Sequence, residues 1–557
     1  MSRRDRARAR ALAGLLVAAW AGAASAQAAP GAASSTTAVD RARAAEEDAM
    51  FGAAPVATST GATSAVGGAA PLGGSTAVGD AGEADALLGT TAQATIDARM
   101  RDAYDKLTIG GFLWLLGSAA LTPDATAGTG ELSSPSFADV YLDVRPVDRI
   151  RGYVRGRLRF DVTQRDGDYT AFGTPVQPVS VLLDQAWIKT DIAETVFLTL
   201  GREKIRWGAT RFFLPTDFVN TTRLDAVGGV LLFDQRVGVG VVKAHLPIES
   251  LGWNFYAIAG IEGARRPDEV AALARAEFLL GETELALSFG ARKGNATRLG
   301  LSLSSGLSIF ELRFDAALEH ALPGNFVRGQ CDVASGQLGE VYSRADEWVP
   351  RVAGGIETSI ALGDDDTLIL GGEYFYNHAG YGDDAIYPCL LQPNVNGFTP
   401  FLLGKHYTGL YAVVDRPLRF ENVTLTASAL ANLSDQSGLA RFDYRVRVLS
   451  FLSVNAWVAG YFGATGSEFR FGYKQAGNTT LAAAIGNADL LATLPPEQLG
   501  LLFPGVDPAQ LAQLSAQLQG ARDLPAAQRA QLAELTRRGL DISPRTFELG
   551  VGARVDF

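Results

Sequence analysis

The carboxyl-terminal end of the chain is a strictly alternating segment, and this pattern limits the folds available to the protein. Its apolar positions are Phe547, Leu549, Val551, Ala553, Val555 and Phe557, and Thr546, Glu548, Gly550, Gly552, Arg554 and Asp556 lie between them. Successive side chains of a β-strand point to opposite faces, so this strand has one apolar face and one polar face. The polypeptide stops on an aromatic residue of the apolar face, which a soluble β-sandwich does not require.

The same alternation recurs upstream and indicates a membrane barrel. Hydrophobic residues make up 47% of the chain, which also has 62 glycines. Beyond the amino terminus, however, there is no run of about 20 apolar residues that could form a membrane helix. Alternating segments of roughly ten residues have instead the length of tilted membrane-spanning strands. We therefore predict an all-β fold, a transmembrane antiparallel up-and-down β-barrel of about 18 strands that starts near Leu107 and ends at Phe557.

Two segments precede the predicted barrel. Residues 1–26 combine five arginines, a short apolar stretch and Ala24-Ser25-Ala26, which is the pattern of a cleaved secretory signal peptide. Residues 27–103 are rich in Ala, Gly, Ser and Thr and predict a low-complexity periplasmic linker, with a partner-binding segment as the alternative. The barrel is assigned to residues 104–557.

Short turns and longer loops alternate along the chain, which sets the sidedness of the predicted barrel. Longer connections are expected at 117–135, 164–178, 208–229, 320–348, 378–405 and 462–544. An even strand number puts both chain ends on the periplasmic side and both cysteines, Cys331 and Cys389, in external loops. Because an exported chain meets an oxidising compartment, we predict a disulfide between these cysteines and no metal site.

The last external loop is predicted to be a helical insertion. Residues 463–544 interrupt the barrel before its final strand, with helical composition at 508–518 and 525–538, and residues 469–473 are expected to prolong the preceding strand. Leucines recur at helical spacing at 511, 514 and 518 and at 532 and 535, so the helices have apolar stripes to bury. The insertion could cap the mouth, fold into the lumen or bind a partner, and we favour capping or plugging.

Charged residues mark the inward faces of three strands. Arginine on the lipid face at mid-depth costs about 2–4 kcal/mol, so a charged row opposite an apolar row faces the lumen. The residues predicted to line the pore are Arg155, Arg157, Arg159 and Asp161; Glu311, Arg313 and Asp315; and Arg441, Asp443, Arg445 and Arg447. The arginines form either a cationic track for anionic solutes or a network neutralised by acidic neighbours, and we favour the neutralised network.

One stretch departs from simple alternation. Val196, Leu198 and Leu200 are assigned to the lipid face, and the same period would send Arg202, Lys204 and Arg206 there as well. A bulge near Gly201 would return these cations to the lumen, whereas an interfacial position would let them extend toward water. We favour the bulge.

The same stretch resembles a known signature. Gly201-Arg202-Glu203, Trp207-Gly208, Pro215, Asp217 and Asn220 are similar to the GRQ…WG…P.D..N signature of bacterial outer-membrane porin-like families, among them alginate-export and substrate-selective porins. The resemblance is local and departs from the signature at Glu203 and Thr221. In such barrels the following loop often bends toward the pore, so the resemblance implies Arg202, Arg206 and Trp207 as constriction candidates. A place for Trp207 in the aromatic girdle is the alternative.

Charge and motifs narrow the function. The formal net charge is −11, and removal of the signal peptide with its net +4 leaves about −15, which disfavours nucleic-acid binding. Neither G-x-S-x-G nor H-E-x-x-H occurs, so we expect no enzyme activity and no cofactor.

These observations predict an outer-membrane channel, porin-like, for passive or substrate-selective diffusion of small hydrophilic solutes. The alternative is a structural barrel with a plugged lumen that serves as an anchor or subunit of a surface or export machine. The expected partners are outer-membrane lipids, the solutes, and the barrel-assembly machinery, which would recognise the terminal strand ending at Phe557.

Overall fold

The structure, a computed structural model, describes residues 106–557 apart from 123–130, 148, 169–175, 220–235, 333–336, 363–366, 392–401, 418–419, 503–514, 516–517, 520 and 523–525. The signal peptide and linker assigned to residues 1–103, Asn220 and most of the predicted helix at 508–518 lie outside the described residues. Of the helices in the part of the chain that is described, none is both long and apolar enough to cross a membrane.

In the described residues, a short strand, Glu131–Ser133, pairs with the end of the first strand, and eighteen longer antiparallel strands close into a barrel. In chain order they are β1 (Leu107–Leu121), β2 (Pro135–Val147), β3 (Ile150–Asp161), β4 (Val179–Ile192), β5 (Val196–Glu203), β6 (Val239–Ile248), β7 (Trp253–Gly260), β8 (Ala271–Leu280), β9 (Thr283–Ala291), β10 (Thr297–Leu307), β11 (Phe310–Asp332), β12 (Gln337–Ala361), β13 (Thr367–Asn377), β14 (His406–Asp415), β15 (Val423–Asn432), β16 (Ser437–Leu449), β17 (Leu452–Phe462) and β18 (Phe547–Asp556). Each strand pairs with the next along the chain, and β18 pairs with both β17 and β1. The predicted fold class, an up-and-down barrel of about 18 strands, is confirmed.

The two faces of the strands separate apolar from charged side chains. On β3, Val154 is 45% exposed whereas Arg155 and Arg157 are buried. On β18, Val551 is exposed and Glu548 is fully buried. In a closed barrel the buried rows point inward, and the exposed apolar rows form the outer belt that contacts lipid.

The connections are short at one end of the barrel and long at the other. At the short-turn end, residues 281–282 join β8 to β9 and residues 308–309 join β10 to β11. At the long-loop end, residues 204–238 join β5 to β6 and residues 378–405 join β13 to β14. Cys331 and Cys389 lie at the long-loop end and form the predicted disulfide, with their Cα atoms 6.1 Å apart.

One predicted loop is largely strand. Residues 320–348, expected as a polar loop, continue β11 and β12 beyond the barrel as a long hairpin with several register shifts. Phe326 is buried in this extension, and Val327 packs with Tyr387 and Leu390 of the 3-10 helix Asp384–Leu391. The hairpin persists outside the apolar belt because this neighbouring loop buries its apolar residues.

The predicted helical insertion is present between β17 and β18. Its described helices are α1 (Thr479–Gly486), α2 (Ala488–Leu491), α3 (Pro496–Leu502) and α4 (Ala526–Arg538), above a strand pair formed by Tyr473–Ala476 and Gly539–Ile542. Helix α1 packs against α4, and Leu481 and Ile485 of α1 are fully buried. The prediction that residues 469–473 prolong β17 is wrong, because positive φ angles at Gly463 (123°) and Gly466 (103°) turn the chain away from the sheet.

Candidate functional site

The connection between β5 and β6 turns into the barrel instead of extending from it. After β5 ends at Glu203, Ile205 and Trp207 are only 7% and 5% exposed. Trp207 packs edge-on against Phe218, with ring centroids 6.4 Å apart, in a cluster with inward residues of β6, β7 and β8. Residues 204–219, here called the constriction loop, therefore have both ends attached to this side of the barrel.

The tip of the constriction loop packs against the opposite wall. Phe213 stacks on Phe375 of β13 with ring centroids 4.9 Å apart, and Phe212 lies 5.8 Å from Tyr411 of β14. In a closed sheet of 18 strands, β14 is nine strands from β5 in either direction. Gly409 of β14 makes room for the tip, because a Cβ atom there would lie 2.5 Å from the Phe212 ring. The loop thus spans the lumen from wall to wall.

Asp315 of β11 binds the first bend of the constriction loop. This side chain is fully buried, and its Oδ2 accepts hydrogen bonds from the backbone N–H groups of Ala209 and Thr210, both at 2.8 Å. The Thr210 hydroxyl donates to the same oxygen at 2.6 Å, and the Thr216 hydroxyl donates to Oδ1 at 2.9 Å. Hydrogen bonds to an ionised carboxylate are among the strong ones, so Asp315 fixes the course of the main chain here.

Glu373 of β13 binds the loop tip in the same way. Its carboxylate accepts from the backbone N–H groups of Arg211, of Phe212 at 2.7 Å and of Phe213 at 3.4 Å. Asp315 and Glu373 therefore bind the backbone amides of residues 209–213 without interruption. The two carboxylates determine where the loop crosses the lumen.

Arg211 places a charged side chain at the loop tip. Its side chain is 39% exposed, and its Nε lies 2.7 Å from the Glu357 carboxylate of β12. Glu357 also accepts a hydrogen bond from the Tyr411 hydroxyl and lies 3.1 Å from Arg313. Arg313 in turn lies 2.8 Å from Glu311. The result is a line of alternating charges whose two end members, Arg211 and Glu311, are the more exposed.

The first predicted arginine row is part of an ion-pair network. Arg157 binds Asp139 of β2 through two hydrogen bonds of 2.8 and 2.9 Å, and Arg155 Nε lies 2.9 Å from the same carboxylate. Asp184 of β4 lies 3.7 Å from Arg155, 3.5 Å from Arg157 and 2.9 Å from Lys204 Nζ. Three cations thus face two buried carboxylates on this wall.

Asp184 reaches the network through a bulge in β4. The pairing of β3 with β4 shifts between Arg155 and Gly156, so Asp184 and Gln185 are both buried although they are adjacent. The described pairs of β5 with β4 and β6 pass through Gly201 without a register shift, in contrast to the bulge predicted there.

The cations that follow Gly201 have three different environments. Arg202 lies on the outward row of β5, 3.2 Å from Glu262. Lys204 belongs to the constriction loop and contacts Asp184, as described above, and Arg206 donates to the backbone carbonyl of Thr210 at 3.1 Å. The three cations do not share one face, because the strand, and with it the alternation, ends at Glu203.

The remaining predicted residues lie on inward rows away from the loop tip. Asp161 accepts from the backbone N–H groups of Ser134 and Thr163 at 3.1 and 2.9 Å, next to the half-buried Arg159. Arg441 binds Asp443 at 2.7 Å and lies over the Trp457 ring at 4.9 Å. On the same row Arg445 is half-buried and Arg447 is exposed.

Four acidic residues of the site, Asp139, Asp184, Glu357 and Glu373, were missed by the sequence reasoning. Asp139 lies on the inward face of β2, directly opposite Arg157 of β3. Aligning the alternating patterns of these two strands could therefore have identified it. The apolar sequence Phe212-Phe213-Leu214 within a predicted external loop was the available signal that this loop packs inside the barrel. Across the part of the chain that is described, no group of three or more His, Cys, Asp or Glu side chains is placed to hold a metal ion.

Comparison with solved structures finds several outer-membrane proteins. OccAB1 of Acinetobacter baumannii is 10% identical, with 81% of this chain and 97% of that chain covered and a TM-score of 0.44. OccK1 (OpdK) of Pseudomonas aeruginosa is 10% identical, with 81% and 99% covered and a TM-score of 0.42. OmpT of Vibrio cholerae, as a trimer, is 10% identical, with 81% and 100% covered and a TM-score of 0.35. No protein-family model and no curated protein sequence matches the chain.

Proposed function

We propose that the protein is an outer-membrane channel for passive or substrate-selective diffusion of small hydrophilic solutes. The observation that carries the proposal is the constriction loop, which crosses a closed 18-strand barrel and is bound by Asp315 of β11 and Glu373 of β13. Barrels with roughly 16–18 strands leave an aqueous channel, and a loop across that channel narrows it. Charged and polar inward rows suit a wall that contacts water.

We propose that solutes are selected at the loop tip more than along the arginine row of β3. Arg155 and Arg157 are buried and share the Asp139 and Asp184 carboxylates, so their charges are largely compensated. Arg211 is the more accessible guanidinium, and it lies on the segment that crosses the lumen. A passing solute would therefore meet Arg211 first among these cations.

The export route and the assembly route belong to the same proposal. Residues 1–26 have the composition of a cleaved signal peptide, and residues 27–103 would remain in the periplasm as a linker. The terminal strand supports recognition by the barrel-assembly machinery, because Phe557 is 65% exposed and its backbone exchanges two 2.9 Å hydrogen bonds with Gly111.

Planar-bilayer recording tests the channel proposal. Folded protein, identified by heat-modifiable migration on gels, should insert with discrete conductance steps, and its liposomes should swell in small sugars at rates that fall with solute size. The same preparation after boiling is the control and should give neither signal. A correctly folded barrel that inserts without any conductance would contradict the proposal.

One feature favours a second function, that of an anchor or subunit of a surface machine. Leu490 of α2 and Leu501 of α3 are 67% and 82% exposed, and exposed apolar side chains on such an insertion suit contact with a partner. Residues 477–539 can be deleted with a short Gly/Ser bridge from Ala476 to Leu540, because Leu540 is the paired neighbour of Gln475. Higher conductance of this variant would indicate a plug, whereas unchanged conductance with loss of a surface phenotype would favour the anchor.

A further inference from the structure

Glu468, at the root of the helical insertion, is the centre of a buried polar junction. Its side chain is 3% exposed, and its carboxylate accepts hydrogen bonds from the Tyr407 hydroxyl, from Asn432 Nδ2 at 2.7 Å and from the Leu403 N–H at 3.1 Å. These donors come from β14, β15 and the loop before β14. One carboxylate thus joins the insertion to three neighbouring segments at the long-loop end.

A second carboxylate completes the junction. Asp435, in the turn between β15 and β16, accepts from the Glu468 backbone N–H at 2.7 Å and from the Tyr387 hydroxyl at 3.2 Å. Tyr387 also accepts from Asn432 at 3.2 Å, and it lies in the 3-10 helix that contains Cys389. The disulfide-bonded loop and the insertion root are therefore fastened at the same point.

The junction is in contact with the constriction loop through Tyr407. The Tyr407 ring, fully buried, lies 6.0 Å from the Phe213 ring and 6.2 Å from the Phe375 ring. Phe469, the neighbour of Glu468, belongs to the same apolar cluster. A single aromatic side chain thus has its hydroxyl on the insertion root and its ring on the loop tip.

Titratable groups from three neighbouring elements face Glu468. They are the neutral Tyr407 of β14 and Tyr387 of the 3-10 helix, and the Asp435 carboxylate of the β15–β16 turn. Burial is the main cause that raises the pKa of Glu468 to about 7, and Asp435 adds to it, against the hydrogen bonds from Tyr407 and Leu403. Burial, with Glu468 and Asp435, also raises the pKa of Tyr387.

We propose that Glu468 is a positioning residue of the constriction, acting through Tyr407 on Phe213 so that the root of the insertion sets how firmly the loop tip is held. The inference rests on the proposed channel function. A group with a raised pKa binds its proton more tightly in the docked junction than in water, so docking is strongest below the ordinary pKa of 4.5, weakens as pH rises from there to about 7, and changes little above it. The loop tip should then fluctuate more in alkaline than in acidic solution.

Single-channel recording of the full chain across this pH range tests the proposal. The variance of the open-channel current of the native protein should rise roughly threefold between about two pH units below and two above the pKa, since couplings of this kind are modest. Glu468→Gln, a neutral isostere, should keep the low variance at every pH. Glu468→Ala, which removes the acceptor from its donors, should have high variance at every pH.

Two further variants separate positioning from a general structural effect. Glu534→Gln makes the same change on the exposed α4, where Glu534 binds Arg537 and Arg538, and should retain the native pH profile. Tyr407→Phe keeps the ring on Phe213 and removes the hydroxyl from Glu468, so it should abolish the pH dependence. If Glu468→Gln fails to fold, Tyr407→Phe carries the test alone.

The outcomes distinguish the inference from the channel proposal. Native current whose variance is flat through pH 7, or a Glu468→Gln or Tyr407→Phe variant that retains the native profile, overturns the positioning role and leaves the channel intact. Absence of current from the folded native protein at every pH overturns the channel proposal itself.

Discussion

Removal of the Asp315 carboxylate is the sharpest perturbation of the constriction loop. Asp315→Ala leaves the backbone N–H groups of the half-buried Ala209 and the buried Thr210 without their acceptor. Each unsatisfied buried donor costs about 1–3 kcal/mol, so the attached state of the loop should lose about 2–6 kcal/mol. The threonine hydroxyls add little, because Thr210 already contacts the Phe213 carbonyl and Thr216 contacts Ser302.

That loss is large enough to change the population of attached loops. Since about 1.4 kcal/mol corresponds to a factor of ten, the detached population should rise at least about 30-fold. We expect higher mean conductance, greater current noise and faster proteolysis within residues 204–219 for Asp315→Ala. Asp315→Asn keeps one oxygen acceptor and should give a smaller effect of about 1 kcal/mol.

Asp443→Asn is the matched control for Asp315→Asn. Asp443 is an inward residue that is 4% exposed, and it binds Arg441 on its own strand instead of the loop. Loss of the Arg441 ion pair should lower the yield of folded barrel, but the folded variant should keep native conductance and native loop protection. Native conductance, noise and proteolysis in a well-folded Asp315→Ala variant would refute the assignment of Asp315 as the residue that attaches the loop.

Three other predictions address the long-loop end, the lumen and assembly. Reduction of the Cys331–Cys389 disulfide, of sequence separation 58, should remove up to about 4 kcal/mol from the long-loop end, and proteolysis of those loops should accelerate while heat-modifiable migration persists. An unchanged rate of proteolysis after reduction would contradict the stabilising role of the disulfide. Arg211→Gln should shift the reversal potential across a salt gradient toward cation selectivity with assembly intact. Arg157→Gln should instead impair assembly, because the buried Asp139 loses two hydrogen bonds and keeps Arg155 as its partner, at a cost of about 3 kcal/mol, and the opposite ranking would contradict the neutralised network. Deletion of Phe557 should slow the appearance of the heat-modifiable form in pulse-chase without affecting secretion, and a native assembly rate would count against the role of this residue.

The strands were predictable because lipid imposes a pattern that can be read locally. Val154 and Leu158 had to face hydrocarbon, so Arg155 and Arg157 between them had to face inward, whatever the rest of the chain does. The strand number followed from repeating this argument and from the closing strand that ends at Phe557.

The constriction was only partly predictable because its contacts join residues far apart in sequence. Asp315 lies 105 residues from Thr210, and its position in an inward acidic row does not distinguish it from Asp443. The bulge in β4 had a local signal, since Leu182-Leu183 followed by Asp184-Gln185 breaks the alternation. The predicted bulge was placed at Gly201 instead, where the chain simply leaves the sheet two residues later.

Asp315 and Glu373 bind the constriction loop through its backbone amides, and this has an evolutionary consequence. Every amino acid except proline has a backbone N–H group to donate. A carboxylate that accepts hydrogen bonds from the main chain can therefore bind the loop whatever side chains stand at these positions. The side chains at positions such as 211 can therefore be exchanged by mutation while the loop stays attached to the far wall. If the proposed channel function holds, single substitutions at such positions can change the solute preference while the barrel and the attachment of the loop are kept.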